Sequence, residues 1–102
     1  MEHQIIREEG AVRICPICER LETATARSFR DMVREACHPD LRELEIDLSQ
    51  IQFIDGSGIA SLLSLFHIFD HTRGSIILSH PQPPVQRLLQ LLRLDRIFLI
   101  RT

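Results

Sequence analysis

The chain has neither tryptophan nor tyrosine, and all twelve of its basic residues are arginine, spread along 102 residues. A base-stacking surface and a basic stripe are therefore both missing, so nucleic-acid binding is not expected. No apolar run reaches the roughly 20 residues of a membrane-spanning helix, and the first residues do not read as a signal peptide. We therefore expect a cytoplasmic protein with no direct membrane insertion.

Motifs for nucleotide binding and hydrolysis are also missing. The sequence contains no P-loop, no G-x-G-x-x-G and no Ser-His-Asp arrangement. We therefore expect no catalytic residue and no cofactor, and any phosphoryl-donor chemistry must come from a partner protein.

Cysteine is scarce, but its spacing leaves an alternative open. Cys15 and Cys18 form a C-x-x-C pair, and Cys37 is followed by His38. This set could ligate zinc or form a redox pair. The adjacent Cys-His lacks the usual ligand spacing, and the C-x-x-C pair is predicted at the end of a strand. Inert thiols without a metal are therefore favoured.

The remaining composition is that of one globular domain over residues 1–102. Hydrophobic residues make up 44% and charged residues 25%, with a formal net charge of −2. A chain of this length can bury a core without disulfides. Periodicity and turn residues predict the order β-β-α-β-α-β-α-β. The predicted ranges are strands 3–7 and 11–14, helix 22–37, a strand from 43, a helix from 59, strand 75–79, a helix from Pro84 and strand 97–100.

The centre of the chain predicts a strand, a polar turn and a helix. Three apolar residues alternate with three acidic ones, which indicates a strand buried on one side: Leu44, Ile46 and Leu48 against Glu43, Glu45 and Asp47. After the turn, apolar residues recur at helical spacing and predict the buried stripe of the second helix: Ile59, Leu62, Leu63, Phe66 and Phe69. His67 and His71 lie one helical turn apart, with Asp70 beside them, and are interpreted as a solvated helix face.

The turn between strand and helix reads Asp55-Gly56-Ser57-Gly58. Asp55 is predicted to cap the helix, since its carboxylate can accept hydrogen bonds from first-turn N–H groups. The glycines Gly56 and Gly58 allow close approach of the backbone. Ser57 is placed at the positive end of the helix dipole, where a phosphate would be favoured. The spacing alone also fits an ordinary turn before a capped helix.

The stretch D-L-S-x-I-x-F-I-D-G-S-G-I-A-x-L-L resembles the core signature of STAS domains. The resemblance implies an α/β fold of the STAS type, with a mixed sheet of four or five strands and helices mainly on one face. In family members that antagonise anti-sigma factors, a Ser or Thr directly before the second glycine position of this turn is phosphorylated. Here that residue is Ser57, although Gly56 replaces the serine that usually precedes it.

On this resemblance the protein is expected to be an anti-sigma-factor antagonist in a bacterial partner-switching pathway. Its partner would be an anti-sigma factor serine kinase of the histidine-kinase-like ATPase class, and phosphorylation of Ser57 would end binding. Leu65 and Ile68 project away from the predicted helical stripe, so we expect a partner-binding patch beside Ser57, with Leu91 and Leu94 extending it. The predicted partner-binding residues are Ile59, Ser61, Leu65 and Ile68. The alternative is a non-switching STAS subunit of a bacterial phospholipid ABC transporter.

Overall fold

The computed structural model describes residues 1–69 and 74–102. Its strands are β1 (His3–Glu8), β2 (Ala11–Pro16), β3 (Arg20–Leu21), β4 (Glu43–Asp47), β5 (Phe53–Ile54), β6 (Ser75–Ser79) and β7 (Leu99–Arg101). Its helices are α1 (Thr23–Ala36), α2 (Gly56–Leu63), the single turn α3 (Leu65–Ile68) and α4 (Pro83–Leu91), followed by a 3-10 turn at Leu94–Arg96. The residues Asp70 and His71, named above, lie outside the described ranges.

A mixed five-stranded sheet forms the centre of the domain, as predicted. Its strand order is β1-β2-β4-β6-β7. β1 and β2 pair antiparallel, which Gly10 permits by turning the chain at a φ of 73°. The remaining neighbours are parallel and are joined through helices. The carboxyl ends of β2, β4, β6 and β7 therefore meet at one edge of the sheet.

One face of this sheet packs against the helices and contains the core. The predicted apolar side of β4 is confirmed, because Leu44 and Ile46 are fully buried. They join residues of the neighbouring strands and helices in one cluster, which includes Val12, Ile14, Ile76, Leu78, Phe29, Val33 and Leu62. Burial of these side chains is the main favourable contribution to folding, at about 25 cal/mol per Å² of apolar surface.

The opposite face of the sheet is more enclosed than the pattern predicts. Glu45 is 7% exposed although it belongs to the acidic side of β4. Its carboxylate accepts a hydrogen bond from Ser79 Oγ at 2.7 Å and lies 2.8 Å from Arg13 Nε. Ile77 is fully buried on this face, apart from the core cluster. A carboxylate at this depth is tolerated because its oxygens have partners.

Two features differ from the predicted elements. β3 and β5 form a separate two-stranded parallel sheet, in which Arg20 pairs with Phe53 and Leu21 with Ile54. Strands of two residues are too short to produce a period of two, so the pattern missed them. The last strand begins at Leu99 instead of residue 97, because the 3-10 turn continues through backbone bonds to Leu94.

Candidate functional site at the start of helix α2

The predicted turn is the first turn of helix α2 itself. Asp55 is the N-cap residue, and its Oδ1 accepts a hydrogen bond from the Gly58 N–H at 2.9 Å. The Asp55 N–H donates to the Leu21 carbonyl at 3.3 Å, which ties the cap to β3. The predicted capping role of Asp55 is therefore confirmed, and the turn is held from both sides.

The two glycines of this turn have different surroundings. A Cβ at Gly58 would overlap the Leu21 carbonyl oxygen and would lie 2.7 Å from Ile54 Cγ2. A Cβ at Gly56 would meet nothing within 4 Å. Gly58 is therefore required by close packing, whereas Gly56 is not, and the serine that is usual in this position of the family would fit.

Ser57 lies at the meeting point of two helix beginnings. Its Oγ is 2.9 Å from Thr23 Oγ1, and Thr23 is the first residue of α1. Both helices start at the carboxyl edge of the sheet, so the positive ends of their dipoles converge on this pair of hydroxyl groups. Ser57 is half-buried and Thr23 is exposed, so the pair is open to solvent.

The guanidinium group of Arg20, in β3, is already engaged. Arg20 Nε donates to Glu22 Oε2 at 3.0 Å, and the Arg20 guanidinium carbon lies 4.0 Å from the centre of the Phe53 ring. Phe53 is 39% exposed, so the stacked pair forms part of the surface beside the turn. Sequence reasoning missed this contact, since the pairing of β3 with β5 creates it.

The predicted partner-binding patch on this helix is partly wrong. Leu65 is fully buried in the core cluster, and Ser61 is fully buried with its hydroxyl donating to the Gly58 carbonyl at 2.7 Å. Ile59 and Ile68 are half-buried and pack against the core. Ser61 and Leu65 therefore offer no accessible surface, whereas partner binding through Ile59 and Ile68 stays a prediction.

The phase of the predicted stripe explains the error. The buried residues recur at helical spacing from α2 through α3: Gly58, Ser61, Leu62, Leu65 and Phe69. The predicted stripe follows the large apolar residues instead, because glycine and serine carry no apolar signal. Leu65 therefore belongs to the buried side, and Leu63, predicted as core, is 38% exposed on the opposite side. α2 ends at Leu63, and the Ser64 hydroxyl donates to the Ser61 carbonyl at 2.6 Å, but this phase is kept across Ser64.

The accessible surface of α2 consists of smaller residues. Gly56, Ala60 and Leu63 are exposed at spacings of four and three residues, and we call them the outer side of α2. His67 in α3 continues this line and is also exposed. The spacing of i, i+4 and i+7 was a usable signal, but the strongly apolar residues around it concealed it.

The prediction that Leu91 and Leu94 extend this surface is wrong. Leu91 is 74% exposed, whereas Leu94 is buried beneath the 3-10 turn. Leu91 lies at the end of α4, which runs from the carboxyl edge of the sheet back to the amino edge. It therefore lies at the other end of the domain from Ser57 and does not extend a surface beside that residue.

The three cysteines are free thiols of intermediate exposure. Desolvation raises the pKa of Cys15, Cys18 and Cys37, with the Asp47 carboxylate adding to the increase for Cys15. Within residues 1–69 and 74–102, no group of three or more cysteine, histidine or acidic side chains is placed to hold a metal ion. Thiols with raised pKa values are weak nucleophiles and weak metal ligands near neutral pH.

The mixed sheet, the one-sided helices and the capped D-G-S-G turn define an α/β domain of the STAS type. The STAS domain model matches residues 4–102. The chain therefore belongs to the STAS domain family, as its sequence predicts. Among the described helices, none is long and apolar enough to cross a membrane.

Solved structures share this fold at low sequence identity. An anti-sigma factor antagonist from Mycobacterium paratuberculosis has 18% identity and a TM-score of 0.83, with 98% of this chain and 84% of that chain covered. The anti-sigma factor antagonist SpoIIAA in its unphosphorylated form has 19% identity and a TM-score of 0.76, with 99% and 89% covered. The phosphorylated form of SpoIIAA from Bacillus matches with 18% identity, a TM-score of 0.70, and 99% and 92% covered.

The fold also occurs inside a much larger protein. The murine anion transporter Slc26a9, in its inward-facing state, has 20% identity and a TM-score of 0.72, with 84% of this chain and 14% of that chain covered. At these identities the likeness shows the fold alone. Antagonists and a transporter share it, so function has to be argued from the residues of this chain.

Proposed function

We propose that this protein is an anti-sigma-factor antagonist whose binding to an anti-sigma factor of the histidine-kinase-like ATPase class is controlled by phosphorylation of Ser57. Transfer would form a bond between Ser57 Oγ and the γ-phosphorus of ATP, break the bond to the β–γ bridging oxygen, and release ADP and the hydroxyl proton. The nucleotide site belongs to the partner, because this chain carries no nucleotide-binding motif.

The position of the Ser57 hydroxyl is the observation that carries the proposal. Within the described residues its side-chain hydrogen bond is the exposed one to Thr23. Modification of Ser57 Oγ therefore disturbs no contact of the core. The outer side of α2 continues directly from Ser57, so a group attached there stands at the rim of that surface.

A phosphate on Ser57 acts on partner binding mainly through its charge. A phosphate adds roughly −1.5 to −2 charges at pH 7. The two helix beginnings favour this charge, whereas the carboxylates of Asp55 and Glu22 on either side oppose it. The fold is expected to persist, because the turn is held by Asp55, Gly58 and Leu21. The change is therefore one of surface charge and bulk, which prevents close docking of a partner.

The first test is a pull-down from native cell extract with wild type, Ser57→Ala and Ser57→Asp as baits. We expect an ATPase-type kinase to be recovered by wild type and Ser57→Ala, and to be lost with Ser57→Asp. Addition of ATP to the recovered kinase should then place one phosphate on wild type, localised to Ser57 by mass spectrometry, and none on Ser57→Ala.

Ser28→Asp is the matched control for added charge. Ser28 is exposed on α1 beside Met1 and His3, on the side of the helix that faces β1. An aspartate there should leave partner recovery unchanged. Recovery of a transporter ATPase by all four baits would instead assign the protein as a non-switching STAS subunit of a phospholipid ABC transporter, and the proposal for Ser57 would be wrong.

A further inference from the structure

Thr23 contacts Ser57 although the two residues lie far apart in the sequence. Ser57 Oγ is 2.9 Å from Thr23 Oγ1, a hydrogen bond between side chains that are 34 positions apart. Neither hydroxyl has a second hydrogen-bond partner among the described residues. The direction in which Ser57 Oγ points therefore depends on a residue of helix α1.

Backbone contacts, and not the hydroxyl groups themselves, bring these two residues together. The Leu21 carbonyl accepts the Asp55 N–H at 3.3 Å, and a Cβ at Gly58 would overlap the oxygen of the same carbonyl. Thr23 and Ser57 each lie within two residues of these contacts, so the backbone fixes their separation. Thr23 is also exposed. Removal of its hydroxyl is therefore expected to leave the fold intact.

The hydrogen bond selects one conformation of the Ser57 side chain. Serine has three staggered rotamers about χ1. The 2.9 Å contact requires the rotamer that directs Ser57 Oγ toward α1, since Thr23 is the first residue of that helix. Without the Thr23 hydroxyl, no protein partner among the described residues distinguishes this rotamer from the other two.

Phosphoryl transfer depends on the direction of the accepting oxygen. Ser57 Oγ has to approach the γ-phosphorus of ATP in line with the bond to the β–γ bridging oxygen, which breaks as the new bond forms. The Oγ proton leaves to a basic group of the kinase or to water, and ADP is released. Catalysis of this reaction consists largely of positioning and charge stabilisation. An oxygen that already points in one direction reaches the reactive geometry more often.

We propose that Thr23 is a positioning residue for the phosphorylation of Ser57. Its hydroxyl holds Ser57 Oγ in one rotamer and thereby raises the rate at which the partner kinase transfers phosphate to it. Thr23 itself forms and breaks no covalent bond. This role rests on the function proposed above, and it adds a residue of α1 to a site that the sequence places entirely at the start of α2.

A purely structural role for this hydrogen bond fits the observations less well. The beginnings of α1 and α2 are already joined by the pairing of β3 with β5 and by the packing of the two helices on each other. The hydrogen bond itself is exposed, so water competes for both hydroxyl groups and the net contribution to stability is small.

The conformation of Ser57 can be measured on the full chain without any partner. Three-bond couplings between its α and β protons report the χ1 rotamer. We expect one rotamer in wild type, averaging in Thr23→Val, which keeps the branched shape but lacks the hydroxyl, and one rotamer again in Thr23→Ser. Ser28→Val, at another exposed position of α1, should keep the wild-type couplings. Averaged couplings in wild type, or a single rotamer in Thr23→Val, would overturn the proposal.

The kinetic test uses the kinase recovered with the Ser57→Ala bait, supplied with ATP and Mg²⁺. We expect kcat for phosphorylation of Thr23→Val to fall about threefold to tenfold, the effect of one hydrogen bond, while KM changes less than about twofold. Thr23→Ser should restore kcat, and Ser28→Val should match wild type. A role confined to stability would leave kcat unchanged. Should Thr23→Val not fold, Thr23→Ala replaces it in both measurements.

The outcomes separate this proposal from the proposed function. Equal kcat for wild type and Thr23→Val would overturn the role of Thr23 and leave phosphorylation of Ser57 standing. Phosphate found on Thr23 by mass spectrometry would make Thr23 an acceptor and would also overturn its positioning role. A wild-type chain that the recovered kinase does not phosphorylate would overturn the proposed function, and the role of Thr23 in the transfer with it.

Discussion

The two sides of helix α2 differ in which added atoms they tolerate, although both belong to one short helix. The inner side consists of Gly58, Ser61 and Leu62, which are buried, and a Cβ at Gly58 would overlap the backbone of β3. The outer side consists of Gly56, Ala60 and Leu63, where a Cβ at Gly56 would meet nothing. Ser57 lies between them. A modification there can therefore alter the surface while the packed side stays fixed.

The largest expected difference compares Leu65, which is fully buried, with Leu63, which is 38% exposed. Leu65→Ala should lower the free energy of unfolding by roughly 2–5 kcal/mol, because it leaves a cavity in the core. Leu63→Ala should lower it by less than about 1 kcal/mol. Urea denaturation of both variants measures this difference. Equal losses would mean that Leu63 and Leu65 do not lie on opposite sides of the packed helix.

The two glycines provide the next comparison. Gly58→Ala should destabilise the protein by about 1–3 kcal/mol, because the Leu21 carbonyl is backbone and cannot yield easily. Gly56→Ala should be neutral or stabilise by up to about 1 kcal/mol, since alanine restricts the unfolded chain and meets no obstacle. Thermal unfolding should therefore move in opposite directions for the two changes. A destabilising Gly56→Ala would show that the outer side is not open.

Replacement of Asp55, the N-cap residue of α2, is expected to cause a smaller loss of stability. Asp55→Ala removes the acceptor for the Gly58 N–H and should cost about 1 kcal/mol, whereas Asp55→Asn keeps an oxygen in place and should cost less. Chemical denaturation of the two variants gives the comparison. An Asn variant as unstable as the Ala variant would show that the carboxylate charge, and not the hydrogen bond, supports the helix.

The three cysteine thiols are half-buried, neither fully packed nor fully exposed. We expect them to have the smallest effect on stability. Because burial raises their pKa, the native state holds these protons more tightly than the unfolded state. Their contribution to stability is complete below the unfolded pKa of about 8.5 and is lost as pH rises through the native values. Alkylation by iodoacetamide at pH 8 should be slower than for free cysteine. Reaction at the rate of free cysteine would show that the thiols are solvated.

Hydrophobic periodicity predicted the main sheet and helix α1 well, because these elements are long enough for the pattern of apolar and polar residues to repeat. The β4 alternation places Leu44 and Ile46 in the core as expected, and α1 runs from Thr23 to Ala36 against a prediction of 22–37. The N-cap role of Asp55 was also predictable, since a side-chain acceptor before a helix acts on its own neighbours. These features depend on local sequence.

The surface around the turn was not predictable in the same way. The exchange of Leu63 and Leu65 follows from a buried side that begins with Gly58 and Ser61, two residues that give no apolar signal in the sequence. The hydrogen bond between Ser57 and Thr23, and the stacking of Arg20 on Phe53, join residues more than thirty positions apart. Such contacts depend on the pairing of β3 with β5. Strands of only two residues leave no pattern in the sequence from which this pairing could be predicted.

The two-stranded sheet of β3 and β5 has a consequence for the strength of association. Arg20–Leu21 and Phe53–Ile54 lead directly into α1 and α2, so their backbone pairing fixes the beginnings of both helices relative to each other. A molecule that covers both beginnings meets a surface that is ordered before contact. It therefore loses little conformational entropy in the loops on binding, and more of its contact energy remains as affinity.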